Sequence, residues 1–215
     1  MRILSITMLL IFLSGCASVT QKQSDDSVHM QYWLSPDRTE LLVFFPQKEE
    51  AYYFNNNESR LCYTYKIPGK WQPGAESALL LSDDEKTIAG ALLYSAEELK
   101  DFEGADLVTR AAKMVTEIYE KNMDVAYARA ELVPFQSSRP GTMKWTIAAD
   151  AEQAGRQVEV SASKIFVEIA PAWVAQITVM PDDDDLTRSI IATLASTSAS
   201  ECYWPFIRQY LPQVR

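Results

Sequence analysis

Residues 105–122 read ADLVTRAAKMVTEIYEKN, and their pattern sets the fold class. Leu107, Val108, Ala111, Ala112, Val115, Ile118 and Tyr119 recur at i, i+1, i+4, i+5, i+8, i+11 and i+12, while Arg110, Lys113, Glu117 and Glu120 take the other side. This period predicts one amphipathic helix with a single apolar face. Such a face needs a surface to lie on, and the residues on either side supply strands.

Downstream, residues 125–135, 142–149, 157–169 and 173–180 read as four successive strands. Met143, Trp145 and Ile147 alternate with Lys144 and Thr146, and Trp173, Ala175, Ile177 and Val179 alternate with Gln176 and Thr178, so one face is expected to lie under helices. Arg139, Pro140, Gly141 and Thr142 form a type II turn signal, with Pro fixing a negative φ and Gly accepting a positive one. Ala154 and Gly155 serve the next reversal. The apolar parity changes between Val158, Val160 and Ile165, Val167, Ile169, which predicts either a bulge or a strand covered on both sides. Asp182 to Asp185 open a last helix carrying Leu186, Ile190, Ile191 and Leu194, and the aromatic segment 203–210 is expected to dock on the body.

Upstream, residues 40–46 form a short buried strand, which Tyr52 to Phe54 either continues or answers. Asn55, Asn56 and Asn57 are a turn, and residues 61–67 the next strand. Pro68 and Gly69 end it, Trp71 anchors the following loop, and Pro73 with Gly74 marks another turn. Residues 77–81 and 87–94 are two strands joined by the acidic turn Ser82, Asp83, Asp84, Glu85, an antiparallel meander. Residues 99–104 link this meander to the helix.

The order of Tyr65, Lys66, Ile67, Pro68, Gly69, Lys70 and Trp71, two strands, a long amphipathic helix, four antiparallel strands and a closing helix resembles the Mog1/PsbP fold over residues 61–197. The resemblance implies an α+β chain whose antiparallel β-sheet of about six to seven strands is packed between helices, an α/β/α sandwich. It further implies a role in binding partners, and it carries no catalytic residue over to this chain.

The first sixteen residues, MRILSITMLLIFLSGC, bear on location. Arg2 supplies a positive start, Ile3 to Leu13 an uncharged stretch too short to span a bilayer as a helix, and small residues precede Cys16. Leu13, Ser14, Gly15 and Cys16 resemble the lipobox of bacterial lipoproteins. That resemblance implies cleavage of residues 1–15, acylation of Cys16 and a membrane attachment worth about 0.8 kcal/mol per buried methylene. Residues 16–30 then form a polar tether, and residues 31–215 a single globular α+β domain. Ala17 is not the aspartate that typically retains such proteins in the inner membrane, so the outer membrane facing the periplasm is the expected site. The chain is 47% hydrophobic and 23% charged, which suits a globular domain. Its formal charge of −9 becomes −10 when Arg2 leaves, which disfavours nucleic acid or a polyanionic lipid face as a partner and is otherwise explained by solubility; an envelope protein partner is the expectation that goes with the lipobox resemblance.

Three cysteines are present, and with Cys16 acylated, Cys62 and Cys202 remain as a pair in an oxidising compartment. A disulfide between them would close a loop of roughly 140 residues and destabilise the unfolded chain by about 5 kcal/mol; two buried free thiols are the alternative. His29, the only histidine, lies in the tether, so histidine-based nucleophile systems and multi-histidine metal sites lack their central residue. Ser161 to Lys164 matches S-x-x-K spacing but sits in a strand without the Ser-Asp-Asn and Lys-Thr-Gly partners. Asp182 to Asp185 and Asp83, Asp84, Glu85 lack calcium-loop spacing and read as helix-start and turn residues, and Asp150 with Glu152 as a hairpin tip. No cofactor fingerprint, metal set or catalytic set is expected. Two aromatic groups are candidate binding residues or core: Tyr52, Tyr53, Tyr63, Tyr65 and Trp71, and Tyr203, Trp204, Phe206 and Tyr210. A Cys62–Cys202 bond would bring these groups together, and their seam is the expected binding surface. The expectation is a non-catalytic binding or accessory module; the alternatives are an envelope hydrolase using carboxylates such as Asp150 or Asp182, or a small-molecule or lipid carrier.

Overall fold

A computed structural model describes residues 30–37, 40–55, 62–74, 78–123, 128–153 and 156–197. The described strands are β1 (Gln31–Leu34), β2 (Glu40–Phe45), β3 (Glu50–Asn55), β4 (Cys62–Lys66), β5 (Trp71–Pro73), β6 (Leu80–Ser82), β7 (Ile88–Ser95), β8 (Ala128–Pro134), β9 (Met143–Gln153), β10 (Arg156–Ala170), β11 (Trp173–Met180) and β12 (Ala195–Thr197). The described helices are α1 (Leu107–Met123), between β7 and β8, and α2 (Asp184–Thr193), between β11 and β12. The strands build two antiparallel sheets, one in the order β1-β2-β3-β4-β12 and one in the order β5-β6-β7-β11-β10-β9-β8.

The seven-stranded sheet is the middle layer. Strand period turns Trp145, Ile147, Phe166 and Val174 to one face, where they pack with Val108, Ala111, Ala112, Met114 and Val115 of α1. Trp145 also donates its ring N–H to Thr116 at 3.0 Å, which fixes the helix over the sheet. Asp106 starts that helix by accepting from the backbone N–H of Thr109 at 2.7 Å. The opposite face presents Ile165, Val167, Ala175, Ile177 and Val179 to Leu42, Phe44, Tyr53, Tyr63 and Tyr65 of the five-stranded sheet.

This layering differs from the expected sandwich. Where a second helical layer was implied, the five-stranded sheet covers the face, and α2 packs beside it with Ile190, Ile191 and the following Leu194 in the same core. The cause lies in residues 41–45, all five of which are buried. A strand apolar on both sides must be covered on both sides, and packing its sheet against the seven-stranded sheet provides one of those covers.

Local signals fall where their chemistry requires. Gly141 has φ +73° in the turn after Pro140, and Gly69 has φ +105° where β4 gives way to β5. Tyr52 to Phe54 answers β2 as an antiparallel hairpin rather than continuing it. Strand β10 pairs with β9 without interruption from Arg156 to Phe166, so the parity change there is not a bulge. Residues 164–167 are buried in succession, and this strand is covered on both sides; its one register shift comes later, between Glu168 and Ala170. Strands β1 and β12, at the two edges of the five-stranded sheet, had no separate sequence signal.

Candidate functional site

The polar group richest in charge lies where β9, β10 and the start of α2 meet. Lys144 and Ser163 share the face of the middle sheet opposite Trp145, a consequence of strand alternation and of the register that pairs Ile165 with Lys144 and Ser163 with Thr146. Asp182 follows β11 and receives both: Ser163 donates its hydroxyl at 2.6 Å, and Lys144 donates its ammonium at 3.1 Å. Lys144 also stands 3.7 Å from Asp184. Asp183 caps α2, its carboxylate accepting from the backbone N–H groups of Asp185 at 3.0 Å and Leu186 at 2.9 Å. The acidic run thus acts as helix start and as partner for Lys144. Together with Lys164 and Thr187 these residues line a notch of about 10 Å³, room for roughly one water.

Lys164 belongs to the opposite face of β10. It is 7% exposed and donates to the Thr178 hydroxyl at 3.2 Å, which also accepts from Gln176 at 3.3 Å. Tyr94 in turn donates to Gln176 at 3.2 Å. Burial pulls the Lys164 amine down to about 8, opposed in part by Asp182. Burial pushes Tyr94 up to about 12, with Glu98 and Tyr119 adding to the shift. Gln176 and Thr178, read from sequence as the polar side of a half-exposed strand, are both buried. The apolar sides of β9 and β11 face opposite layers, and because both layers are filled the intervening polar side chains are enclosed. Lys164 follows Ser161 and Ser163 in the sequence, so no local signal marked it as enclosed.

Chemically the notch is a paired ionic and hydrogen-bonding site. Ser163 commits its hydroxyl proton to Asp182, whose charge Lys144 balances. Alternation sets Ser161 and Ser163 on the face opposite Lys164, which removes the geometry that an S-x-x-K pair requires. Asp84, in the other acidic run, accepts from the Ser82 hydroxyl at 2.7 Å and pairs with Lys86 at 3.2 Å, and the Ser82 bond leads in holding its carboxyl below the ordinary value. Among the described residues no cluster of three or more His, Cys, Asp and Glu is placed to hold a metal ion.

Tyr63 and Tyr65 are fully buried and Trp71 is 6% exposed, all three in the core between the sheets. Tyr53 stacks on Tyr63 at 4.9 Å and Tyr63 on Tyr65 at 6.4 Å. The Tyr63 hydroxyl donates to the Ala91 carbonyl, Trp71 donates to the Pro68 carbonyl at 2.8 Å, and burial raises the pKa of both tyrosines. These three candidates therefore serve packing in the described fold and are not part of its outer surface. Tyr203, Trp204, Phe206, Tyr210, Cys16, Cys202 and His29 lie outside the described residues. Cys62 is buried on the outer side of the five-stranded sheet and is disulfide-bonded, to a partner outside the described residues. Among the described residues no helix is long and apolar enough to cross a membrane. No protein-family model, curated protein or solved structure matches this chain.

Proposed function

We propose that this chain is a lipid-anchored, non-catalytic binding module of the bacterial cell envelope, cut before Cys16, acylated there and carried on the 16–30 tether. Ala17 favours the outer membrane facing the periplasm as its location, and an envelope protein is its partner. The observation that carries this reading is the disulfide at Cys62. Disulfides persist in oxidising compartments, and the leader of residues 1–15 is of the kind that sends a chain to one. Binding rather than turnover is supported by the notch, where Ser163, Asp182 and Lys144 satisfy one another. It is also supported by cores filled with Trp145, Phe166, Tyr63 and Tyr65, which direct recognition to the surface. The seven-stranded antiparallel sheet with α1 on one face, and with α2 following β11, supports a Mog1/PsbP-like body to which the five-stranded sheet is an addition.

The test compares wild type with Cys16→Ala in intact cells fed a clickable palmitate, followed by membrane fractionation, crosslinking and mass spectrometry. The expected result is lipid label and outer-membrane recovery for the wild type alone, with a stoichiometric envelope protein crosslinked only to that form. An unlabelled wild type overturns the anchor, and a labelled wild type without a partner overturns the adaptor role.

A further inference from the structure

Strand β8 is the longest described strand at a sheet edge, and no described strand pairs with its outer side. On its inner side it pairs with β9 in an unbroken register from Ala128↔Ala149 to Pro134↔Met143. In an antiparallel pair, alternate residues turn both backbone groups toward the neighbour. The Phe135 N–H donates to the Thr142 carbonyl at 2.9 Å, one step further along the same register, so Val133, Glu131 and Arg129 also face β9. The backbone N–H and C=O groups of Leu132, Ala130 and Ala128 therefore point away from the sheet. Pro134 agrees with this phase: it has no N–H to give, and it falls at an outward position, where a sheet edge accepts proline. The side chains of Arg129, Ala130, Glu131, Val133 and Pro134 are all exposed.

Such an edge is a template for one more strand, and charges and proline restrict what can pair with it. A second copy of β8 can meet it antiparallel about a two-fold axis, and the backbone phase requires outward residues to stand opposite outward residues. The axis must then pass through a residue rather than between two. Of the positions from Arg129 to Val133, four are poor. An axis at Arg129 sets Arg129 against Arg129, and one at Glu131 sets Glu131 against Glu131, at the close Cα spacing of about 4.5 Å in a non-hydrogen-bonded pair. An axis at Leu132 or Val133 spends a ladder position on Pro134, which has no N–H. An axis at Ala130 has neither fault. Ala130 then meets Ala130 and Ala128 meets Leu132 as hydrogen-bonded pairs, while Arg129 stands directly opposite Glu131 on both sides of the axis. The same charges that oppose the neighbouring registers favour this one.

We infer that this protein pairs with a second copy of itself through β8, antiparallel about a two-fold axis at Ala130, joining two seven-stranded sheets into one continuous sheet. The contact is isologous: Arg129 and Glu131 of one copy meet Glu131 and Arg129 of the other. A strand edge this short makes a small interface, so the association is weak and reversible. It rests on β8 alone and stands whatever anchors the chain.

Charge reversal in the full chain tests it, read by sedimentation velocity in non-ionic detergent over a range of protein concentrations. The wild type should move from one chain toward two as its concentration rises. Arg129→Glu places two carboxylates face to face and Glu131→Arg two guanidinium groups, and each alone should weaken association about tenfold or more. Mixed in equal amounts, the two variants should associate again, because every facing pair is once more opposite in sign. A wild type that stays a single chain at every concentration overturns the inference. So do single reversals that associate as strongly as the wild type, or an equal mixture that stays apart. If a reversed variant loses the wild-type circular dichroism, full-length Ala130→Cys decides. Across the axis its Cα atoms lie about 5.5 Å apart, within disulfide range, so peptide mapping after mild oxidation should find position 130 linked to position 130 of a second chain. Failure to find that link overturns the inference.

Discussion

Replacing Lys164 with methionine should stabilise the folded chain at neutral pH, although it deletes a hydrogen bond. In the native state the amine is enclosed beside Thr178, and burial lowers it from 10.5 to about 8. At about 1.4 kcal/mol per pH unit, that shift means that holding the charged form inside costs about 3 kcal/mol at pH 7, where the amine is protonated both folded and unfolded. Methionine has a similar unbranched shape and no charge to desolvate. Losing the bond to Thr178 returns about 1 kcal/mol, which leaves a net gain of about 2 kcal/mol. The pH dependence is set by proton counts. Between about 8 and 10.5 the unfolded wild type keeps its proton and the folded wild type has lost it, so wild-type stability rises with pH across that window. The advantage of Lys164→Met should therefore be full below about pH 8, vanish at about pH 9.5, and give way to a wild-type lead of about 1 kcal/mol by about pH 10.5. Urea unfolding of both proteins at pH 7, 8, 9 and 10, followed by circular dichroism, reads the difference directly, and the tyrosine titrations common to both cancel. A variant less stable than wild type at pH 7, or a difference constant from pH 7 to 10, would refute the reasoning.

Three further substitutions probe the frame around this residue. Asp183→Ala removes the carboxylate that receives the Asp185 and Leu186 amides, and should cost about 1 kcal/mol in a urea titration. Gly90→Ala puts a methyl 2.8 Å from Leu79 Cδ2 and 3.3 Å from the Tyr65 hydroxyl; a loss of about 1–3 kcal/mol is expected, and an unchanged midpoint would mean that Leu79 swings clear. Phe166→Ala empties a fully buried site under α1, and should lower stability by about 3–5 kcal/mol with an unchanged urea slope. A loss below about 1 kcal/mol would show that the helix collapses into the space.

Much of the strand and helix order was legible because its determinants are local. The apolar period of residues 107–119, the Pro140–Gly141 pair and the acidic start before Leu186 each act over a few residues. Each then appears in place as α1, as a turn with Gly141 at φ +73° and as the cap by Asp183. The two short edge strands were not legible. Gln31–Leu34 and Ala195–Thr197 have too few residues to show a period, and they owe their conformation to neighbours in β2 and β4. The candidate site was legible only in pieces. Asp182 and Asp183 stood out as a helix start, but the approach of Lys144 and Ser163 depends on register between strands separated by a hairpin.

The sequence by itself determined which residues alternate, where the chain turns and where the helices begin, since these are consequences of dihedral preference, side-chain spacing and capping chemistry. Alternation separates two faces without saying what lies against either. Only the tertiary structure decided that β9 and β11 turn their apolar sides to opposite layers, that a second sheet takes the place of a helical layer, and that Lys164, Gln176 and Thr178 are enclosed. The same packing sends Tyr63, Tyr65 and Trp71 inward to the core between the sheets. Burial depends on what the rest of the chain brings to a face, and that is set by contacts between residues far apart in sequence.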